Sequence, residues 1–383
     1  MVRSTGVAVG HMGMWQRFHS SNGPTDKWGL SESNSMTPRI LMLGWGFPPN
    51  VTGGLDTWVG EVFEAFEAKD VDMQLLLPEE YAPTDREGIH SAPTGDSDII
   101  TRVGRMSDKF VELAEDADIA HTNDWFGYGP GLRAKRETDA TWVSAFHSLS
   151  SDRNINPPER EVETERRVAN QSDILISVSD ITRQNVLDLY DADSHVVHNG
   201  FSSLETTGFN VKADLGIEGP MLFFVGRHTD QKGISHLLYA MNKVQNTDAT
   251  LVLGGSGHQT DHLKMFSKLL GIEDRVKFAG YIPEEKLGDY YAAADVFISP
   301  SRAEPFGLTI TEALAAGAQV VATESGVRET LPDGCLVEVT TDSNSIARGI
   351  DEALAREGPP QYEPRTWDEV ADDLLAVYNT AFD

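Results

Sequence analysis

Ser301-Arg302-Ala303-Glu304-Pro305-Phe306-Gly307-Leu308-Thr309-Ile310-Thr311-Glu312 follows an apolar run, Asp295–Ser299, and opens a segment of helical spacing, Leu308–Ala316, that stops at Gly317. A strand, a tight loop and a helix start in that order read as one ligand-binding corner of a parallel α/β sheet. The helix start near Phe306 presents unpaired amides and the positive end of a dipole, which suits a diphosphate. Gly307 lets the backbone approach such a group closely. Glu304 precedes the helix and Glu312, eight residues on, lies more than a turn inside it. Both can line one ligand while doing different work. Taken alone, such a pair is more often a dipole-favoured glutamate and a solvated one.

A second corner changes that balance. Phe224-Val225-Gly226-Arg227 ends another apolar run, and Lys232-Gly233 follows at the next helix start. Two cations at a strand–helix junction can neutralise a departing pyrophosphate. With 31 basic residues against 60 acidic ones, finding both at one junction favours function over an ordinary surface.

Working outward, 383 residues suit two domains. Residues 1–35 are polar and lack apolar periodicity, so a flexible tail is expected. Residues 36–205 begin with a strand at Arg39–Leu43, a glycine-rich turn from Gly44 to Gly54 and a helix from Leu55. Strand candidates follow at Met73–Leu77, Ile119–His121, Thr141–Phe146, Ile174–Val178 and His195–His198. Residues 206–365 repeat the design, with strands at Met221–Val225, Thr250–Gly254, Val276–Ala279, Asp295–Ser299 and Gln319–Ala322. Residues 366–383 carry Trp367, Val370, Leu374, Leu375 and Tyr378 at helical spacing and predict a closing helix. Short buried strands alternating with helices give an α/β class with doubly wound parallel sheets. Their carboxyl ends are expected to face a shared cleft.

The motifs resemble those of family 4 glycosyltransferases of the GT-B architecture, two Rossmann-like domains across a cleft. In the first half these are Gly44-Trp45-Gly46-Phe47-Pro48-Pro49 with Gly53-Gly54-Leu55, His121-Thr122-Asn123-Asp124-Trp125 and Val197-His198-Asn199-Gly200-Phe201. In the second they are Val225-Gly226-Arg227 with Lys232-Gly233, Gly254-Gly255-Ser256-Gly257, Phe278-Ala279-Gly280-Tyr281, Ala294-Asp295 through Ser301, and Glu304 through Gly317.

The resemblance implies a retaining, metal-independent enzyme that moves a hexosyl-type sugar from a nucleotide-diphosphate sugar to a sugar, glycan or lipid-linked acceptor. By the same resemblance, Arg227 and Lys232 hold the donor diphosphate, Glu312 the ribose and Glu304 the transferred sugar. Amides of Phe306, Gly307, Leu308 and Thr309 cup the distal phosphate, with Gly53 and Gly54 closing from the other domain. Tyr281 and Ile282 contact the base. His147 stands beside the sugar and reaction centre, and His121 and Asp124 fall on the acceptor side. No cofactor is implied, because the donor is a co-substrate. The chain departs from the family pattern at Asn123, where His-x-His-Asp-Trp would have histidine. It departs again at Ser325-Gly326-Val327-Arg328-Glu329, a loop expected to alter sugar or acceptor recognition. A sugar-nucleotide epimerase of related architecture and a non-catalytic nucleotide-sugar sensor are the competing readings.

Composition narrows the setting. A net charge of −29 and a pI near 4.6 argue against nucleic acid as a partner. The single cysteine, Cys335, excludes an internal disulfide. No apolar run approaches the ~20 residues of a membrane span, and no signal-peptide pattern opens the sequence. A cytoplasmic location is expected, with at most peripheral contact at the inner membrane surface through Arg133-Lys135-Arg136. Carboxylates spread along the whole chain fit adaptation to high intracellular salt. The thermal unfolding midpoint is therefore predicted to rise from dilute buffer to molar KCl; an unchanged midpoint would contradict the halophile reading.

Overall fold

The structure, a computed structural model, describes residues 37–50, 53–83 and 86–382. The expected tail at residues 1–35 lies outside the described residues.

The first sheet holds seven strands: β1 (Ile40–Leu43), β2 (Met73–Pro78), β3 (Ile89–Ala92), β4 (Ile119–Asn123), β5 (Thr141–Phe146), β6 (Ile174–Ser177) and β7 (His195–Val196). Their spatial order is β3-β2-β1-β4-β5-β6-β7, and every pairing is parallel. The second sheet holds β8 (Met221–Val225), β9 (Thr250–Gly254), β10 (Val276–Gly280), β11 (Val296–Ser299), β12 (Gln319–Ala322) and β13 (Val337–Glu338). Its order is β10-β9-β8-β11-β12-β13, again parallel throughout. In each sheet the winding direction reverses beside the first strand, between β1 and β4 and between β8 and β11. At such a reversal the two connecting loops part, leaving a crevice at the strand carboxyl ends.

The interiors follow from the apolar runs. β1 is buried along its whole length, and the helix Gly54–Ala68 turns Trp58, Val59, Val62, Phe63 and Phe66 onto the sheet. The second sheet packs on both faces, with Phe223, Phe297 and Tyr291 on one side and Phe224, Leu251 and Ile298 on the other. The last helix, Trp367–Asn379, crosses back. Its Trp367, Val370, Leu374 and Tyr378 join the core of the first sheet beside Trp58 and Phe66. A capping box starts it, with Thr366 Oγ1 receiving the Glu369 amide and Glu369 receiving the Thr366 amide.

Two strands of the structure have no counterpart in the sequence pattern: β3 and β13. Both lie at sheet edges, and β3 is mostly half-buried, so neither carries a continuous apolar run. His195–His198 is shorter than its apolar character suggested, because pairing with β6 ends at Val196. The helix Thr260–Leu269 begins at a threonine whose hydroxyl accepts from the amide and donates to the carbonyl of Gly257, holding the preceding turn. No helix among the described residues is long and apolar enough to cross a membrane.

Leu374 is fully buried where the last helix meets the first sheet. Leu374→Ala should cost about 2–5 kcal/mol, as for a large-to-small core change. Denaturant unfolding measures it, and a loss under ~0.5 kcal/mol, the range of surface substitutions, would mean that the helix is not integral to that core.

Candidate active site

The carboxyl end of β11 feeds the loop Pro300–Phe306 and the helix Leu308–Ala315. Gly307 precedes that helix at φ 111°, a conformation that disfavours any side chain. The loop is closed from the neighbouring strand end. Gly233, at φ 62°, sits so close to Pro300 that a Cβ would lie 2.1 Å from its carbonyl oxygen. This approach brings Lys232 to Glu304: Nζ lies 2.7 Å from Oε2, and the Ser301 hydroxyl donates to the same oxygen at 2.9 Å. Both side chains are largely screened from solvent. Arg227, by contrast, is exposed and pairs with no described residue. One cation of the junction is tied to a carboxylate, and the other stands open.

Glu312 lies one turn into the helix. Tyr291 donates to its Oε2 at 2.6 Å, and the Tyr291 ring is wedged between Phe223 and Phe297. Burial pushes the Glu312 carboxyl upward, opposed by the Tyr291 hydrogen bond. Tyr291 could not be read as a partner from sequence, because 21 residues and a strand separate the two. After the edge strand β10, Ile282 is buried beneath Gly254, whereas Tyr281 stands open with 79% of its surface exposed.

From the first sheet, the glycine-rich loop after β1 reaches this helix start. A Cβ on Gly54 would lie 3.4 Å from Leu308 Cδ1. Gly53 is extended with open space around it, so neither strain nor a protein neighbour requires glycine there. The loop is secured by Asp56, a buried carboxylate that accepts the Gly46 amide at 2.8 Å. Sequence reading passed over Asp56, whose only signal is an acidic residue in the first turn of a helix.

At the ends of β4 and β5 the acceptor-side candidates turn inward. His121 is fully buried, with Nδ1 2.8 Å from the Tyr378 hydroxyl and Nε2 3.3 Å from Asn123 Oδ1. Asp124 accepts the backbone amides of His147 at 2.9 Å and Ser148 at 3.4 Å. Both ring nitrogens of His121 thus face protein groups, and Asp124 spends one oxygen, Oδ1, on the two backbone amides. His147 is half-buried, its Nε2 2.9 Å from Asn123 Oδ1.

The Ser325–Glu329 loop bonds back to the first sheet through its last residue. Glu329 accepts the amides of Asp180 at 2.8 Å and Ile181 at 3.1 Å, and lies 2.8 Å from His198 Nε2. It thus caps the helix Asp180–Tyr190 of the first sheet from the second. Ser179 reinforces the tie by donating to the Pro305 carbonyl at 2.7 Å. Beside this seam lies a cavity of about 380 Å³, lined among others by Asp152, Thr182, Asn185, Glu304, Thr323 and Thr340. Burial raises the Asp152 carboxyl to about 6.

Two family models cover most of the chain: one described as Glycosyltransferase Family 4 matches residues 52–203, and one described as Glycosyl transferases group 1 matches residues 210–367. An uncharacterized glycosyltransferase of Methanocaldococcus jannaschii is 27% identical, spanning 90% of this chain and 99% of its own. The alpha-maltose-1-phosphate synthase of Mycolicibacterium smegmatis is 30% identical across 77% of this chain and 82% of that protein. Among solved structures, a sucrose-phosphate synthase from Thermosynechococcus elongatus shares the fold at a TM-score of 0.74, with 21% identity, covering 90% of this chain and 99% of that one.

Burial raises the Glu329 carboxyl, but the His198 and backbone hydrogen bonds outweigh it and hold the group below its ordinary value. A lowered folded-state value means its stabilisation is present above the ordinary carboxylate range and fades as pH falls through the lowered one. Glu329→Ala should therefore cost about 1–3 kcal/mol near pH 7, with the difference from wild type vanishing in acid. A pH-independent difference would place its effect elsewhere.

Proposed function

The chain belongs to the family 4, group 1 glycosyltransferases, and on that premise we propose that it moves a hexosyl-type sugar from a nucleotide-diphosphate sugar to a sugar, glycan or lipid-linked acceptor. The transfer retains anomeric configuration and needs no metal. The observation that supports this reading is the contact of Lys232 with Glu304 beside one glycine-opened helix start, with Glu312 a turn behind.

Each part has a physical job. Arg227, Lys232 and the amides of residues 306–309 take the negative charge that grows on the diphosphate as its bond to the anomeric carbon breaks. The helix amides are fixed by the backbone before the reaction, so they need little reorganisation when that charge develops. Lys232 exchanges its contact with Glu304 for a phosphate oxygen, which frees Glu304 for the hydroxyls of the sugar. Glu312, with one oxygen held by Tyr291, offers the other to the ribose diol. The acceptor hydroxyl attacks from the face that the diphosphate leaves, and its proton passes to the departing phosphate oxygen. No second carboxylate is needed as a covalent nucleophile. The polar cavity beside Glu304, with its threonines and Asn185, suits the hydroxyls of an acceptor.

Lys232→Ala is expected to lower turnover by about 10²–10³, the cost of losing one preorganised charge-stabilising group, and Glu312→Ala to raise the donor KM through the lost ribose contact. A panel of nucleotide sugars screened by thermal shift identifies the donor, and NMR of the product reads the anomer. Near-wild-type turnover in Lys232→Ala together with an unchanged donor KM in Glu312→Ala would remove the site assignment, and an inverted product would remove the retaining mechanism.

A further inference from the structure

Asn123 occupies a position that neither the nucleotide nor the diphosphate chemistry accounts for. It is fully buried at the end of β4, and its side-chain nitrogen donates to the Leu43 carbonyl at 3.0 Å. That bond fixes which way the amide faces: the nitrogen is committed to β1, so Oδ1 is the atom turned toward the two histidines. Oδ1 lies 2.9 Å from His147 Nε2 and 3.3 Å from His121 Nε2. An amide oxygen can only accept, so both Nε2 atoms carry their proton.

The rest of the network agrees with that direction. His121 Nδ1 then holds a lone pair, and the Tyr378 hydroxyl, 2.8 Å away on the last helix, is a donor that satisfies it. Trp58 packs edge-on against the His147 ring at 4.7 Å and also touches His121, so neither ring can turn over without disturbing the core. Burial lowers both imidazoles to about 3, and for His121 the proximity of His147 adds to it, so both are neutral at ordinary pH. With the proton fixed on Nε2, Nδ1 of His147 is left as a bare acceptor. No described residue donates to it, and the ring is only half-buried.

We propose that Asn123 is a positioning residue that locks His147 into its Nε2-protonated tautomer, so that Nδ1 is presented as a hydrogen-bond acceptor to a hydroxyl of the transferred sugar. The last part rests on the reading of His147 beside the reaction centre. The tautomer itself does not. Histidine at position 123 could not do this in the same way, because a neutral imidazole offers one acceptor nitrogen where the amide oxygen has two lone pairs for two rings. Asn123 therefore serves both histidines at once, and the last helix, through Tyr378, holds the far end of the chain of hydrogen bonds.

The test uses the full chain labelled with ¹⁵N-histidine, at pH 7.5, with the His147 ring signals assigned by their loss in His147→Gln. Wild type should show a protonated-type Nε2 and an unprotonated-type Nδ1 for His147. Asn123→Leu should draw the two shifts together as the tautomers mix. It should also raise the donor KM on the order of 10–100-fold, as when an outer partner that orients a histidine is removed. If Asn123→Leu does not fold, Asn123→Asp keeps the acceptor oxygen and should keep Nε2 protonated. A wild-type spectrum with the proton on Nδ1, unchanged shifts in a folded Asn123→Leu, or a bare Nε2 in Asn123→Asp would each overturn the proposal. Full transfer activity in His147→Ala would remove the sugar-contact reading alone and leave the tautomer result standing.

Discussion

A parallel sheet with both faces packed by helices leaves only its strand ends for chemistry, and this constraint organises the whole protein. Both sheets are of this kind, and in both the connections diverge beside the first strand. The loops that leave β1, β4, β8 and β11 at their carboxyl ends therefore gather the groups that matter. Asn123 and Asp124 end or follow β4, Arg227 follows β8, and the Ser301–Gly307 loop follows β11. The glycine-rich turn follows β1. The apolar strands contribute by fixing where these loops begin, since a shift of one residue would turn each flanking side chain the other way.

Charge is then placed against this frame with economy. In an acidic chain, Lys232 is held by Glu304 and Ser301 while Arg227 is left open. A buried pair of this kind keeps a cation in place without leaving an uncompensated charge, and a polyanionic ligand can exchange for the carboxylate. Glu312 is handled differently, with a single phenol donor and burial in place of a counter-ion. Between the halves, the Ser179 bond fastens one helix of the first sheet to the loop that carries Glu304, and the Glu329 cap fastens the same helix to the loop after β12. The returning last helix fastens the chain a second time, through Tyr378 and through Trp367, which donates to Ser202 at 2.7 Å.

Much of this was legible in the sequence, for a definite reason. Central strands such as Met221–Val225 and Thr141–Phe146 are buried on both faces, so they read as unbroken apolar runs and their limits coincide with the structure. The corner after β11 was legible because its groups lie close in sequence: a glycine, a helix start and two glutamates. Edge strands β3 and β13 were not, because a strand with one open side needs no apolar continuity. Partnerships across the fold escaped in the same way. Nothing local marks Tyr291 as the partner of Glu312, or Tyr378 as the partner of His121, 257 residues away. Nothing local marks Glu329 as a cap either, because its carboxylate faces a helix start 149 residues away. Asn123 was visible as a departure from a pattern, but what it does depends on which way its amide is turned.

The central claim is that Arg227, Lys232 and the helix start after Gly307 form a receptor for a diphosphate. Calorimetric titration of the full chain with matched nucleoside diphosphates and monophosphates, at fixed ionic strength, tests it most directly. The account predicts one diphosphate that binds at least about tenfold more tightly than its monophosphate, a difference of ~1.4 kcal/mol, and loss of that difference when Arg227 and Lys232 are both alanine. Equal affinity for the two nucleotides, or a preference for the diphosphate that survives the double substitution, would contradict it.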